Sequence, residues 1–178
     1  MRTLPPIAGL LLSAMLLAGC VPVEPTVTPA PEPSTTPVFA SEEEALAAAE
    51  EAYAAYQAAV DNALATYNTD ALSDIATGAA LEEALESVVL YQEDGRRIVG
   101  SSSISSETLA DADLHSGDVQ LYACLDISET RVFDSAGTDI TPPGRASRFP
   151  MIVALILGEE LSHLVVSEEE VWDGSDFC

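Results

Sequence analysis

The chain has 178 residues, of which 30 are acidic and six basic, all six of them arginine, for a formal net charge of −24. A surface this acidic repels phosphate backbones and anionic headgroups, which argues against nucleic acid as a partner. The hydrophobic fraction of 48% is enough to build a core, although alanine supplies much of it.

Arg2 is the single charge ahead of an apolar run over residues 4–18, which leads into Leu17-Ala18-Gly19-Cys20. A positive start, an apolar stretch and small residues before a cysteine make a lipoprotein export signal, cut just before Cys20 with lipid placed on its sulfur. The run falls short of the roughly 20 residues that a spanning helix needs. Two acyl chains suffice for stable anchoring. The expectation is a signal peptide over residues 1–19, a lipidated Cys20, and a domain held at the extracytoplasmic face of the cell membrane. Residues 21–37 hold six prolines and four threonines. Such a stretch buries too little to fold, so residues 20–40 read as the lipidated cysteine and an extended tether.

The folded domain is expected over residues 41–178. Ser41-Glu42-Glu43-Glu44 matches a capping box, and Leu46, Ala49, Tyr53, Tyr56, Val60, Ala63 and Tyr67 then recur at spacings of three and four. That pattern predicts one helix of about 25 residues with an apolar stripe. Thr69-Asp70 suits the cap of a short second helix over residues 71–76. A third is expected over residues 79–93, with Leu81, Leu85 and Val88 on one side and Gly95 as a left-handed cap.

Beyond Gly95 the period changes to two. Ile98, Gly100, Ser102, Ile104 and Ser106 predict one face of a long strand that runs on towards Leu114, across a bulge. Val119, Leu121, Ala123, Leu125 and Ile127 predict a half-buried strand, and residues 151–157, apolar on both faces, a covered central one. A last strand is expected from Leu161 to about Trp172. Three helices followed by an antiparallel meander of four to six strands predict an α+β domain, with helices packed on one face of a curved sheet.

With Cys20 lipidated, Cys124 and Cys178 remain in an oxidising compartment, where a disulfide between them is expected; free thiols or bridges between molecules are the alternatives. Asp111, Asp113 and His115 sit two apart, so on a strand they would share a face and could hold a divalent metal, against the plainer reading of a solvated strand end. His163 alternates with Leu161 and Val165 and is the candidate general acid or base. Tyr53, Tyr56, Tyr91 and Tyr122 supply phenols, but no pattern pairs one with a base. Glu168-Glu169-Glu170 reads as a solvated acidic rim, with Glu168 and Glu170 on the face of Trp172 and Glu169 on the other. Arg145 and Arg148 could recognise a carboxylate or form internal ion pairs. No phosphate-cradling glycine loop, zinc spacing or serine-nucleophile motif occurs, so no cofactor is expected.

The order of long helix, short helix, third helix and long antiparallel strands resembles the nuclear transport factor 2-like (NTF2-like, cystatin-like, cone-shaped) superfamily. Cys124-Leu125-Asp126, Pro142-Pro143-Gly144-Arg145 and the tail from Val171-Trp172-Asp173-Gly174 to Phe177-Cys178 are similar to pieces of lipoproteins from high-GC Gram-positive bacteria. The resemblance implies a conical pocket between sheet and helices and a homodimer formed through the sheet. It implies either a binding module, for a partner protein, an envelope component or a small apolar ligand, or an isomerase- or dehydratase-type pocket enzyme. Fold alone does not choose between them.

Overall fold

A computed structural model describes residues 36–158 and 163–178. The export signal, Cys20 and most of the tether lie outside the described residues, as does Leu161. Helix α1 spans Glu42–Thr66 and opens on the expected Ser41 cap: Ser41 Oγ accepts from the Glu44 N–H at 3.2 Å, while the Glu44 carboxylate accepts from the N–H of Ala40, one residue ahead of the cap, at 2.7 Å. Three glutamates in the first turn suit the positive end of the helix dipole. Its buried positions are Ala45, Ala49, Tyr53, Tyr56, Gln57 and Ala63. The expected stripe is therefore present, but Ala45 replaces Leu46 as its first member and a polar residue, Gln57, lies within it. Tyr67 ends the helix in the left-handed region, with its hydroxyl on the Arg96 carbonyl at 2.8 Å.

Helix α2 spans Leu72–Ile75, shorter than expected, and begins without the Thr69-Asp70 side-chain cap. Helix α3 spans Gly78–Glu93 and buries Ala80, Ala84 and Val88, while Leu85 is exposed. The reason is close approach: a β-carbon on Gly78 would stand 3.1 Å from the Ser167 carbonyl oxygen, so α3 meets the sheet through its small residues. Gly95, at φ +64, turns the chain out of α3 while the Arg96 N–H donates to the Tyr91 carbonyl, closing the helix as expected.

The single long strand expected after Gly95 is two strands, β1 (Arg97–Val99) and β2 (Ser103–Ala112), parted at Gly100. Gly100 has φ +116, and a β-carbon there would collide with the Glu129 carbonyl oxygen. Only glycine fits that corner. Strand β3 spans Val119–Asp126, β4 Arg131–Phe133, β5 Arg148–Leu157 and β6 Leu164–Val171. The main sheet runs β2-β3-β5-β6 with every neighbour antiparallel, and β4 leaves it to pair with β1. This is an α+β fold: the helices bury Tyr53, Tyr56 and Ala80 against Val119, Leu121, Met151, Val153, Leu155 and Val166 on one face of the sheet.

The opposite face carries the C-terminal tail. Trp172 and Phe177 pack edge-on against Tyr122, with ring centroids 5.0 and 5.8 Å away, and the backbone N–H of Trp172 donates to the Pro150 carbonyl. A disulfide joins Cys124 to Cys178, with α-carbons 5.5 Å apart, which sets aside the free-thiol alternative. Among the described residues no helix is long and apolar enough to cross a membrane.

Candidate functional site

The sheet carries bulges that decide which acidic side chains face the helices. In β6, Leu155 pairs with Val166 and Ala154 with Glu168, so Ser167 is an extra residue, and its hydroxyl donates to the Ala154 carbonyl at 3.1 Å. One added residue inverts the alternation. Leu164 and Val166 face the helices before the bulge, and Glu169 does so after it. Glu168 and Glu170 remain exposed on the outer side, as the acidic-rim reading has them, but Glu169 does not belong to that rim.

Instead, Glu169 Oε1 accepts from the Tyr53 hydroxyl and from Gln57 Nε2, both at 2.5 Å. Gln57 Nε2 also donates to the Tyr53 hydroxyl at 3.3 Å. Tyr53 and Gln57 are one helical turn apart, so α1 presents phenol and carboxamide side by side to one carboxylate. Burial pushes the Glu169 carboxyl above its usual range; the Tyr53 donor opposes this, the Glu83 carboxylate adds to it and Gln57 again opposes. Burial, and then the neighbouring Glu169 charge, push the Tyr53 phenol well above its usual range, so it remains a proton donor. Tyr56 is raised for the same reasons, and its hydroxyl donates to the Ala80 carbonyl at 3.2 Å. The pairing of a tyrosine with an acid, which no sequence pattern offers, is thus made by the fold. Its one legible trace is Gln57, a donor on a stripe of apolar residues.

Alongside this network lies a groove of about 470 Å³. Val38 and Phe39 ahead of α1, Ala48 and Ala52 on it, and Leu157 and Leu164 at the β5–β6 end supply apolar walls. Its polar lining is exposed: Glu44, Glu51 and His163. His163 stands in a bend before β6 rather than within the strand, so strand alternation does not orient it. Its Nε2 lies 3.2 Å from the Asp74 carbonyl. Neither Glu169 nor Tyr53 lines this groove, so the structure does not bring His163 together with the buried acid.

Of the proposed metal-binding trio, Asp111 and Asp113 line one surface pocket with Asp118, and His115 does not line it. Asp111 lies on β2 beside a register shift, and the strand ends at Ala112. Asp113 and His115 belong to the turn that follows. The Asp113 carboxylate accepts from the N–H groups of His115 at 2.8 Å and Ser116 at 3.2 Å, and these bonds hold it below the usual carboxylate range. No group of three potential metal ligands converges among the described residues. The two candidate arginines are internally engaged. Arg145 donates to the Ile127 and Thr130 carbonyls at 2.8 and 2.6 Å, and Arg148 lies 3.6 Å from Asp126.

The architecture defines a class, an α+β domain whose helices cover one face of a four-stranded antiparallel sheet. It is similar to a solved structure described as the intermembrane space region of the chloroplast protein ARC6, at a TM-score of 0.56 and 13% identity over 71% of this chain and 95% of that one. At that identity the likeness is one of fold. No protein-family model matches the chain, and no curated protein does.

Proposed function

We propose that this chain is a membrane-anchored extracytoplasmic lipoprotein whose NTF2-like domain is a non-enzymatic binding module for a small apolar ligand. The groove of about 470 Å³ carries the reading. Its volume lies within the range of small-molecule sites, and apolar walls with a few polar groups are the usual make-up of such sites. The Cys124–Cys178 bridge supports an oxidising compartment. The likeness to a domain from an intermembrane space accords with placement outside the cytoplasm. Three helices ahead of an antiparallel sheet support the NTF2-like reading. A homodimer through the sheet is less favoured, because it would set Glu168 and Glu170 against copies of themselves on a face the tail already partly occupies.

The test is titration with a neutral apolar fluorophore such as N-phenylnaphthylamine, on wild type and on Ala48→Leu and Ala52→Leu, which fill the groove. Saturable binding lost in variants that melt like the wild type supports the reading. Unchanged binding refutes it. The second reading, a pocket enzyme of isomerase or dehydratase type, draws on the Tyr53–Glu169 contact, an acid and a phenol already hydrogen-bonded. It requires an opening to that pair, and a hydrophobic substrate that protects Glu169 from carbodiimide labelling would favour it.

A further inference from the structure

A second cleft, of about 360 Å³, flanks α1 on the opposite side of its buried stripe from the apolar groove, and its chemistry is different. Gln57 and Asp61 of α1 face Ser102 and Glu107 across it, while Ala54, Ala58 and Ile104 supply apolar wall. Asp61 is fixed in place, because its Oδ2 accepts from the Ser102 N–H at 2.7 Å and from the Ser102 hydroxyl at 2.9 Å.

Glu107 is there because of a bulge. Ile104 faces α1, and simple alternation would bring Ser106 in next. The register shift between Ser105 and Thr108, with Ser106 at φ +59, turns Glu107 inward instead. The two edge strands of the sheet therefore use the same device: one bulge in β6 delivers Glu169 and one in β2 delivers Glu107, with Gln57 between them. Gln57 is only 7% exposed. Its Nε2 is engaged by Tyr53 and Glu169, and its Oε1 has no hydrogen-bond partner among the described residues. Gln57 is thus held through its amide nitrogen, and its carbonyl acceptor is left to the cleft.

The cleft thus offers acceptors, the Glu107 carboxylate, the second oxygen of Asp61 and Gln57 Oε1, and no arginine lines it. Neither Asp61 nor Glu107 has an ion-pair partner among the described residues. A complementary ligand must bring donors and positive charge. A bare divalent ion does not fit the requirement, since three ligating side chains do not converge. An ammonium group on an aliphatic body does: its charge and N–H donors suit the carboxylate and carboxamide acceptors, and its methylenes suit Ala54, Ala58 and Ile104. We propose that this cleft binds a primary alkylammonium compound, at a site separate from the apolar groove.

The test is amide chemical-shift titration of the processed full chain with hexylammonium at physiological salt, with hexanol as the uncharged control. Saturable shifts at Ser102, Ser103 and Glu107 are expected with the amine and not with the alcohol. Glu107 makes no side-chain hydrogen bond among the described residues, so Glu107→Gln leaves the fold intact. It should weaken binding about tenfold, the effect of losing one charge-assisted hydrogen bond. Glu168→Gln on the outer face should leave binding unchanged. Equal responses in the two variants, or non-saturating shifts, would mean diffuse attraction to an acidic protein and would overturn the proposal. Matching shifts with hexanol would overturn it as well, since recognition would then be apolar.

Discussion

The buried network makes a quantitative prediction. Tyr53 is fully buried, and its hydroxyl donates to Glu169 at 2.5 Å while accepting from Gln57 at 3.3 Å. A hydrogen bond to a charged group contributes roughly 1.5–3 kcal/mol, and one between neutral groups about 1 kcal/mol. Where Glu169 is ionised, Tyr53→Phe should therefore lower stability by about 2 kcal/mol, or about 7 °C in melting temperature for a domain of this size. In a Glu169→Gln background the acceptor is neutral, and the same change should cost about 1 kcal/mol. A coupling of about 1 kcal/mol is thus expected from the double-mutant cycle. The pH dependence follows from burial. Because the Glu169 carboxyl is raised above its ordinary 4.5, the stability linked to it is fully present below that value and is lost as pH rises through the folded-state value. Wild type should accordingly weaken relative to Glu169→Gln as pH rises above about 4.5. Urea denaturation followed by circular dichroism measures both quantities, and general charge effects largely cancel in the difference. Additive single mutants together with parallel pH profiles would refute this account.

Three further outcomes are expected. Gly100→Ala would force a β-carbon onto the Glu129 carbonyl and within 2.9 Å of the Thr130 α-carbon, at positive φ. It should cost about 3 kcal/mol by urea unfolding, and a melt within a degree of wild type would mean the corner yields. Cys124→Ser should lose about 4 kcal/mol, given the 54-residue separation of the bridged cysteines, and Cys178 should become open to iodoacetamide; mass analysis showing the wild type equally alkylated would contradict the bridge. Cys20→Ser should abolish incorporation of labelled palmitate and shift the protein out of the membrane fraction, and retained label would end the lipid assignment.

What was legible in the chain is what depends on neighbours in sequence. Ser41 caps α1 because a helix cap is local, and Gly95 turns because the helix end needs positive φ. Residues 151–157 lie centrally because apolar residues on both sides of a strand need cover on both. What was not legible depends on partners far along the chain. Gly100 divides the expected strand because the Glu129–Thr130 backbone passes close by, and β4 leaves the meander because β1 is free to receive it. On α3 the expected Leu81 and Val88 pack inward, but Leu85 is exposed, and Ala80 and Ala84 are buried in its place because the helix approaches its neighbours closely. The site was least legible of all, since Glu107 and Glu169 face inward only through bulges defined by the register of β2 on β3 and of β6 on β5.

The remaining question is what the acidity does, and the structure separates two kinds of carboxylate. Those on the surface, Glu168 and Glu170 among them, have few counter-charges: among the described residues, the ion pairs are Arg96–Asp94 and Arg148–Asp126. A formal charge of −24 then acts mainly as repulsion between exposed groups. Salt weakens such repulsion once separations exceed the Debye length, about 30 Å at 10 mM and 8 Å at physiological strength. Raising sodium chloride from about 10 to 150 mM should therefore raise the melting temperature of wild type and Glu169→Gln alike. The difference between them should barely move, because partial burial and the hydrogen bonds to Tyr53 and Gln57, rather than long-range repulsion, govern Glu169. A difference that collapses with salt would return Glu169 to the exposed rim its neighbours occupy. A constant difference on a rising baseline would make the surface charge and the buried acid two independent features of the same strand.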